Sequence, residues 1–359
     1  MTWERLQAGS SESVRKAYVR SRLREINSKG NREALIDETL EALKAHVPAL
    51  AKAGYRGLPE NAGYRILGRA YRQITSRLQG ANLTINFRAP GWFTEENSSE
   101  SYLQMYERGV RGGRMVLTNK DPLNLPRQRV QDDDVATLPD GWKEAPRQAA
   151  RGLAPEVGRG RMADKLSPGK LKRNDKGLSE YDPDQEFVAS NVQFDPYAKQ
   201  VFAALNYGRR PHGSSTLYGH SYMVLDDKFK ANALYFAGDT FEAGKTHLNS
   251  AKHQVSYDLL GGLLLKAWPN QLLRDDLIKS CLQCVRLPDT AEEHRLVEAH
   301  LFEKVAFRGN ITHLYISAKD RPKDALGNEK DWTGDLFTRV RENARNFAVK
   351  HGAKIIWID

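Results

Sequence analysis

The chain has 359 residues, 40% of them apolar and 28% charged, with 55 Lys and Arg against 45 Asp and Glu and a formal net charge of +10. This apolar share is enough to bury a core, which excludes wholesale disorder, and the length suits one large domain or two ordinary ones. Two cysteines exclude a disulfide framework, and the longest apolar run, LLGGLLLKAW from Leu259, is far short of the roughly 20 residues a membrane span requires.

The N-terminal MTWERLQAGSSESVRK has no apolar stretch after its charges, so no cleaved secretory signal is read there, and a soluble protein is expected. Residues 1–80 predict helices. Val14, Tyr18, Leu23 and Ile26 recur at helical spacing, as do Leu35, Ile36, Leu40, Leu43, Val47 and Leu50 after a cap at Asn31. Pro48 is expected to kink or split this second helix. A third helix, carrying Ile66, Leu67, Ala70, Tyr71, Ile74 and Leu78, starts near Asn61 and stops at Gly80.

At Ala81 the pattern changes. ANLTINFRAP alternates Leu83, Ile85 and Phe87 with Thr84 and Asn86, the period of a strand ended by Pro90. From about 108 to 178 periodicity is lost among many Gly and Pro residues, which reads as a long surface insertion. Order returns near Gln185, with DPYAKQVFAALNYG read as a helix and SYMVLDD and ANALYFAGD as strands. HQVSYDLLGGLLLKAW reads as helix or mixed structure and DDLIKSCLQCV as a helix. VEAHLFEKVAF and ITHLYISA follow as strands, then a helix over 338–351 and a last strand, AKIIWID. Strands and helices interleave without a βαβ rhythm, so the expected class is α+β: a helical region over 1–80 and one domain over 81–359 with the insertion at about 108–178.

The usual nucleotide-binding, hydrolase and metalloprotease motifs are absent. There is no G-x-x-x-x-G-K-[ST], no G-x-G-x-x-G after a strand, no G-x-S-x-G and no H-E-x-x-H. Cys281 and Cys284 form C-L-Q-C inside a helix, which lacks the setting of a redox pair. In EEHRLVEAH, Glu298 and His300 share a strand face while His294 lies before it, so no metal site is expected.

Three pieces remain: LTINFRAP; ALNYGRRPHGSSTLYGHSYMVL with ALYFAGDTF; and LVEAHLFEKVAF with the closing HGAKIIWID. In that order they resemble a bacterial family of mono-ADP-ribosyltransferases that includes type III effectors attaching ADP-ribose to a threonine of ubiquitin. The resemblance covers roughly residues 81–120 and 185–359, and the order of several short matches carries it. It implies an ADP-ribosyltransferase-like core of mixed or antiparallel sheet, NAD as co-substrate, a host protein such as ubiquitin as acceptor, and a secreted effector acting in the host cytoplasm without a cleaved signal.

The residues suit that chemistry. Cleaving the bond between nicotinamide and ribose passes through an oxocarbenium-like state, which a carboxylate beside the ribose stabilises. Glu298 matches the position of the family's catalytic glutamate; a solvent-facing strand glutamate is the competing account. Arg88, at the end of LTINF, matches the arginine that holds the pyrophosphate, for which a guanidinium fork is suited. Asn86 shares its side and is a candidate ribose or amide contact. Tyr218 is placed to stack on nicotinamide, Gly219 to let the backbone approach the ligand, His220 beside them in the cofactor site, and Ser221 to hydrogen-bond Glu298. Asp239 matches a Gly-Asp pair of the family and is assigned to orienting Arg88 or His220.

Two departures stand out. Val110, Arg111 and Gly112 occupy the segment where the family has a serine, which leaves that role to Ser214, Ser215 or Ser221. Leu296 stands two residues before Glu298, where many such transferases carry Glu or Gln to activate the acceptor, so arginine-directed transfer is disfavoured and His300 becomes the substrate-side candidate. The alternative readings are a basic nucleic-acid-binding protein without catalysis and a transferase acting on nucleic acid. Charge placement bears on them: residues 1–80 hold 15 basic and 8 acidic side chains, 108–178 hold 16 and 9, and the remainder holds 24 and 28. The basic excess thus lies outside the segments that carry the candidate site.

Overall fold

A computed structural model describes residues 12–52, 62–102, 171–173, 179–181, 201–238, 254–322 and 331–359. Three helices lead the chain: α1 (Glu12–Ile26), α2 (Lys29–Lys52) and α3 (Tyr64–Gln79). Helix α2 runs through Pro48 as one element, so of the expected kink or split the split does not occur. Helix α3 begins at Tyr64 behind Gly63 and is closed by Gly80, as expected, although Gly80 keeps right-handed dihedrals. Its apolar residues Leu67, Ala70, Tyr71, Ile74 and Leu78 form one buried stripe, which is what holds an amphipathic helix on a core.

Strand β1 (Leu83–Phe87) is followed at once by the short helix α4 (Ala89–Phe93), with Pro90 in its first turn, where a missing N–H costs nothing. The remaining sheet strands are β2 (Val201–Leu205), β3 (Ser221–Leu225), β4 (Ala233–Ala237), β5 (Val297–Leu301), β6 (Ile311–Ser317) and β7 (Lys354–Ile358). Between them lie α5 (Leu263–Lys266), α6 (Gln271–Leu282) and α7 (Gly334–His351). Residues 201–205 correct the helix expected over 195–208: VFAAL is a buried central strand, because strand pairing on both sides outweighs its weak helical pattern. Of the long insertion the structure describes only Leu171–Arg173, which pairs with Ser179–Tyr181 just beyond it.

The seven strands form one sheet in the order β4-β5-β2-β1-β3-β6-β7, antiparallel throughout except for β6 beside β7. This is a mixed α+β architecture. Side-chain alternation divides the sheet into two faces. Leu83, Ile85 and Phe87 of β1, Val201, Ala203 and Leu205 of β2, and Val297, Ala299 and Leu301 of β5 join one apolar cluster with the helices. The other face carries Thr84, Asn86, Asn206, Glu298 and His300, all buried.

Candidate active site

The polar face is assembled by register. Glu298 pairs with Ala204 on one side and Phe236 on the other, and Ala204 pairs with Thr84, so Glu298 and Thr84 stand at the same level two strands apart. The Glu298 side chain is 10% exposed, and its Oε2 lies 3.5 Å from Nε2 of His300. His300 is wedged between the rings of Phe202 and Phe236, at centroid distances of 4.7 and 4.3 Å. A carboxylate held by an imidazole in an apolar frame keeps a fixed position without losing its capacity to face a developing positive charge.

The segment 206–220 folds over β1, and Asn86 is the reason. Its Nδ2 donates to the carbonyls of His212 (2.6 Å) and Gly219 (3.0 Å), while its Oδ1 accepts from Ser214 N (3.1 Å), Ser214 Oγ (3.2 Å) and Ser215 N (3.4 Å). With both amide hydrogens and the oxygen engaged, Asn86 is a bracket for this loop rather than a free group for a ribose or an amide. Gly213 (φ +81°) allows the loop to pass: a Cβ there would meet the Asn86 amide at 2.6 Å. The loop also brings Ser214 Oγ within 3.0 Å of Thr84 Oγ1, placing two hydroxyls at the level of Glu298.

The loop has two further anchors. His212 Nδ1 meets Asp289 Oδ2 at 2.7 Å while Nε2 meets the Asp359 carbonyl at 3.1 Å. Arg210, buried, donates to Asp276 Oδ2 (2.9 Å), and Arg295 grips the same carboxylate through Nε (2.8 Å) and Nη2 (2.7 Å). Asp276 thus ties the loop, helix α6 and the entry to β5 together.

At the far end of β1 stands Arg88, half-buried, whose extended backbone (φ −95°, ψ 117°) continues the alternation and puts it on the face of Thr84 and Asn86. Gly219 (φ +136°) lies against the Phe87–Arg88 peptide so closely that a Cβ would sit 2.0 Å from the Phe87 carbonyl oxygen. Its need for glycine therefore comes from chain packing. Half-buried Tyr218 and His220 flank it. Beneath them is Asp320, fully buried, whose Oδ1 accepts from His220 N (2.6 Å) and whose Oδ2 accepts from Ala89 N (3.0 Å) and Ser221 N (2.9 Å). Burial works to raise its pKa, but hydrogen bonds from His220, Ser221 and Ala89 outweigh it and hold the carboxyl below its usual range.

The candidate residues therefore form two groups. Arg88, Tyr218, Gly219 and His220 gather at one end of the polar face, and Glu298 and His300 lie toward the other. Four residues along β1 and two strands across separate Arg88 from Glu298 by about 16 Å between Cα atoms. Ser221 does not join Glu298. It lies three strands away on the apolar side's alternation, and its Oγ accepts from Ser317 N at 3.0 Å. Asp239 and the segment around Arg111 lie outside the described residues. Glu303 accepts from Asn232 Nδ2 at 2.8 Å. No group of three or more potential metal ligands is found among the described residues.

Reading the sequence did not find Asp320, Asp276 or Asp289. The first follows strand β6 in SAKD, the second sits among helix-forming residues and the third in an irregular connection, so each gains its role only from residues distant in the chain.

Fold and site together define an α+β protein with a buried polar sheet face bearing a Glu–His pair. Comparison with protein-family models and with curated protein sequences found no match to the chain. No helix among the described residues is long and apolar enough to cross a membrane.

Proposed function

We propose that the protein is an NAD-dependent mono-ADP-ribosyltransferase acting on a protein, with ubiquitin as the first acceptor to test. The observation that carries the reading is the nearly buried Glu298 on the polar face, fixed by His300 and level with the hydroxyls of Thr84 and Ser214. In this reading Glu298 faces the nicotinamide ribose and stabilises the oxocarbenium-like state as the C–N bond to nicotinamide breaks. Arg88, on the same face and about 16 Å away, receives the phosphates of a ligand of dinucleotide length.

Ser214 takes the serine role first open to three candidates, because it alone among them stands by Thr84 at the level of Glu298. His300, beside Glu298, is the group from which an acceptor hydroxyl is oriented. The test is incubation with biotin-tagged NAD and purified ubiquitin or a eukaryotic lysate, with nicotinamide release measured in parallel. The expected result is tagging that Glu298→Ala abolishes; equal tagging by the two proteins would sink the proposal.

A further inference from the structure

On the side of the molecule where helix α3 meets the end of α6, two arginines meet at Cys284 and a third is bonded to one of them. Arg77 Nη2 donates to Cys284 Sγ at 3.0 Å, Arg209 Nη2 donates to the Cys284 carbonyl, and Arg286 Nε donates to the Arg209 carbonyl at 3.0 Å. All three are exposed. Each holds its place through an N–H bonded to a sulfur or a main-chain carbonyl, and none has a carboxylate partner among the described residues. A guanidinium has five N–H donors, so most of the donors of all three forks face solvent.

The surroundings reinforce the charge. Helix α3 carries Arg65, Arg69, Arg72 and Arg77 and no Asp or Glu. Gln73, one turn before Arg77, donates to the carbonyls of Cys281 (3.1 Å) and Leu282 (3.2 Å), so the helix face bearing Arg69, Gln73 and Arg77 runs into the end of α6. Exposed Lys279 adds a further cation, and the stretch LIKSCLQCVRL over 277–287 has no acidic residue. The carboxylates that flank the patch are occupied: Asp276 by Arg210 and Arg295, and Asp289 by His212. Three like charges gathered without counter-charge repel one another, and an arriving polyanion relieves that repulsion.

We propose that this arginine patch binds the phosphate backbone of a nucleic acid duplex. Planar guanidinium forks with free edges suit phosphate oxygens bidentately. The patch has one exposed apolar residue at its centre, Val285 (43% exposed), which is too little to anchor a protein interface whose energy rests on buried aromatic or aliphatic groups. None of the residues converging on Cys284 is aromatic, so the surface reads backbone charge and not bases, and binding is independent of sequence. This proposal does not rest on the NAD reading.

The test is fluorescence anisotropy of the full chain with fluorescein-labelled 20-base-pair DNA duplexes of two unrelated sequences, over a range of KCl concentrations. Both duplexes are expected to bind equally. The triple variant Arg77→Glu, Arg209→Glu, Arg286→Glu weakens binding by tenfold or more beyond the control triple Arg339→Glu, Arg345→Glu, Lys354→Glu, which changes net charge equally at exposed positions elsewhere. The single change Arg77→Gln, which keeps the fold question small, lowers the slope of log K against log salt by about one. Circular dichroism accompanies each variant. Equal losses for the two triples, an unchanged slope in Arg77→Gln, or tighter binding of a fluorescein-labelled polyglutamate peptide than of either duplex would overturn the proposal.

Discussion

Replacing Asp320 by Asn tests whether this carboxylate fixes the end of β1 that presents Arg88. Three main-chain N–H groups, of Ala89, His220 and Ser221, donate to its two oxygens. The single oxygen of Asn can keep Ala89 and Ser221, but its NH2 group then opposes the His220 N–H. One hydrogen bond to a charged acceptor is lost and one donor is left unpaired, a combined cost of about 3 kcal/mol. For a protein of 359 residues, with an unfolding entropy of about 2.1 cal/mol/K per residue, that corresponds to a fall of roughly 4 °C in melting temperature.

Urea denaturation at pH 7 measures the loss. Repeating it toward acid tests its origin, because a carboxyl held below its ordinary value contributes stability that is present above its unfolded pKa of about 3.9 and is lost as pH falls through the folded value. The gap between wild type and Asp320→Asn should therefore narrow between pH 5 and pH 3. A loss under 1 kcal/mol at pH 7, or a gap that does not change with pH, would refute the reasoning.

Other outcomes follow from the same structure. Gly219→Ala should destabilise by several kcal/mol or fail to fold, since the added carbon meets the main-chain Phe87 carbonyl and the residue has φ +136°; a melting temperature within 2 °C of wild type would contradict this. Asp276→Asn leaves the buried Arg210 without a carboxylate and Arg295 with only Glu292, at 3.3 Å, and should cost about 3–5 kcal/mol by denaturant unfolding. His351, buried against Phe307 and Phe347, has its pKa lowered chiefly by desolvation, so its stabilising contribution is present above the unfolded value of about 6.5 and fades as pH falls below it. His351→Phe should accordingly flatten the decline in melting temperature between pH 7 and pH 5.

How far these features were legible in the sequence depends on the range of the interactions that create them. The stripe of Leu67, Ala70, Tyr71, Ile74 and Leu78 and the alternation of LTINF are local patterns, and both became elements near the expected bounds. VFAAL misled because a central strand, buried on both faces, loses its alternation; only its neighbours β1 and β5 make it a strand. For the site, the shared face of Glu298 and His300 followed from their spacing of two. The separation of Ser221 from Glu298 did not, since it is set by sheet order. Asp320 and Asp276 were invisible for the same reason: their partners lie tens to hundreds of residues away.

The proposed activity turns on Glu298. The most direct measurement is transfer of 32P-labelled ADP-ribose from NAD to protein, with release of free nicotinamide, by wild type and by Glu298→Gln of matched melting temperature. The expected result is transfer by wild type and a loss of at least a hundredfold in the variant, the scale of removing one electrostatic stabiliser of a charged transition state. Equal rates in the two proteins, or no nicotinamide release and no labelling by wild type, would contradict it.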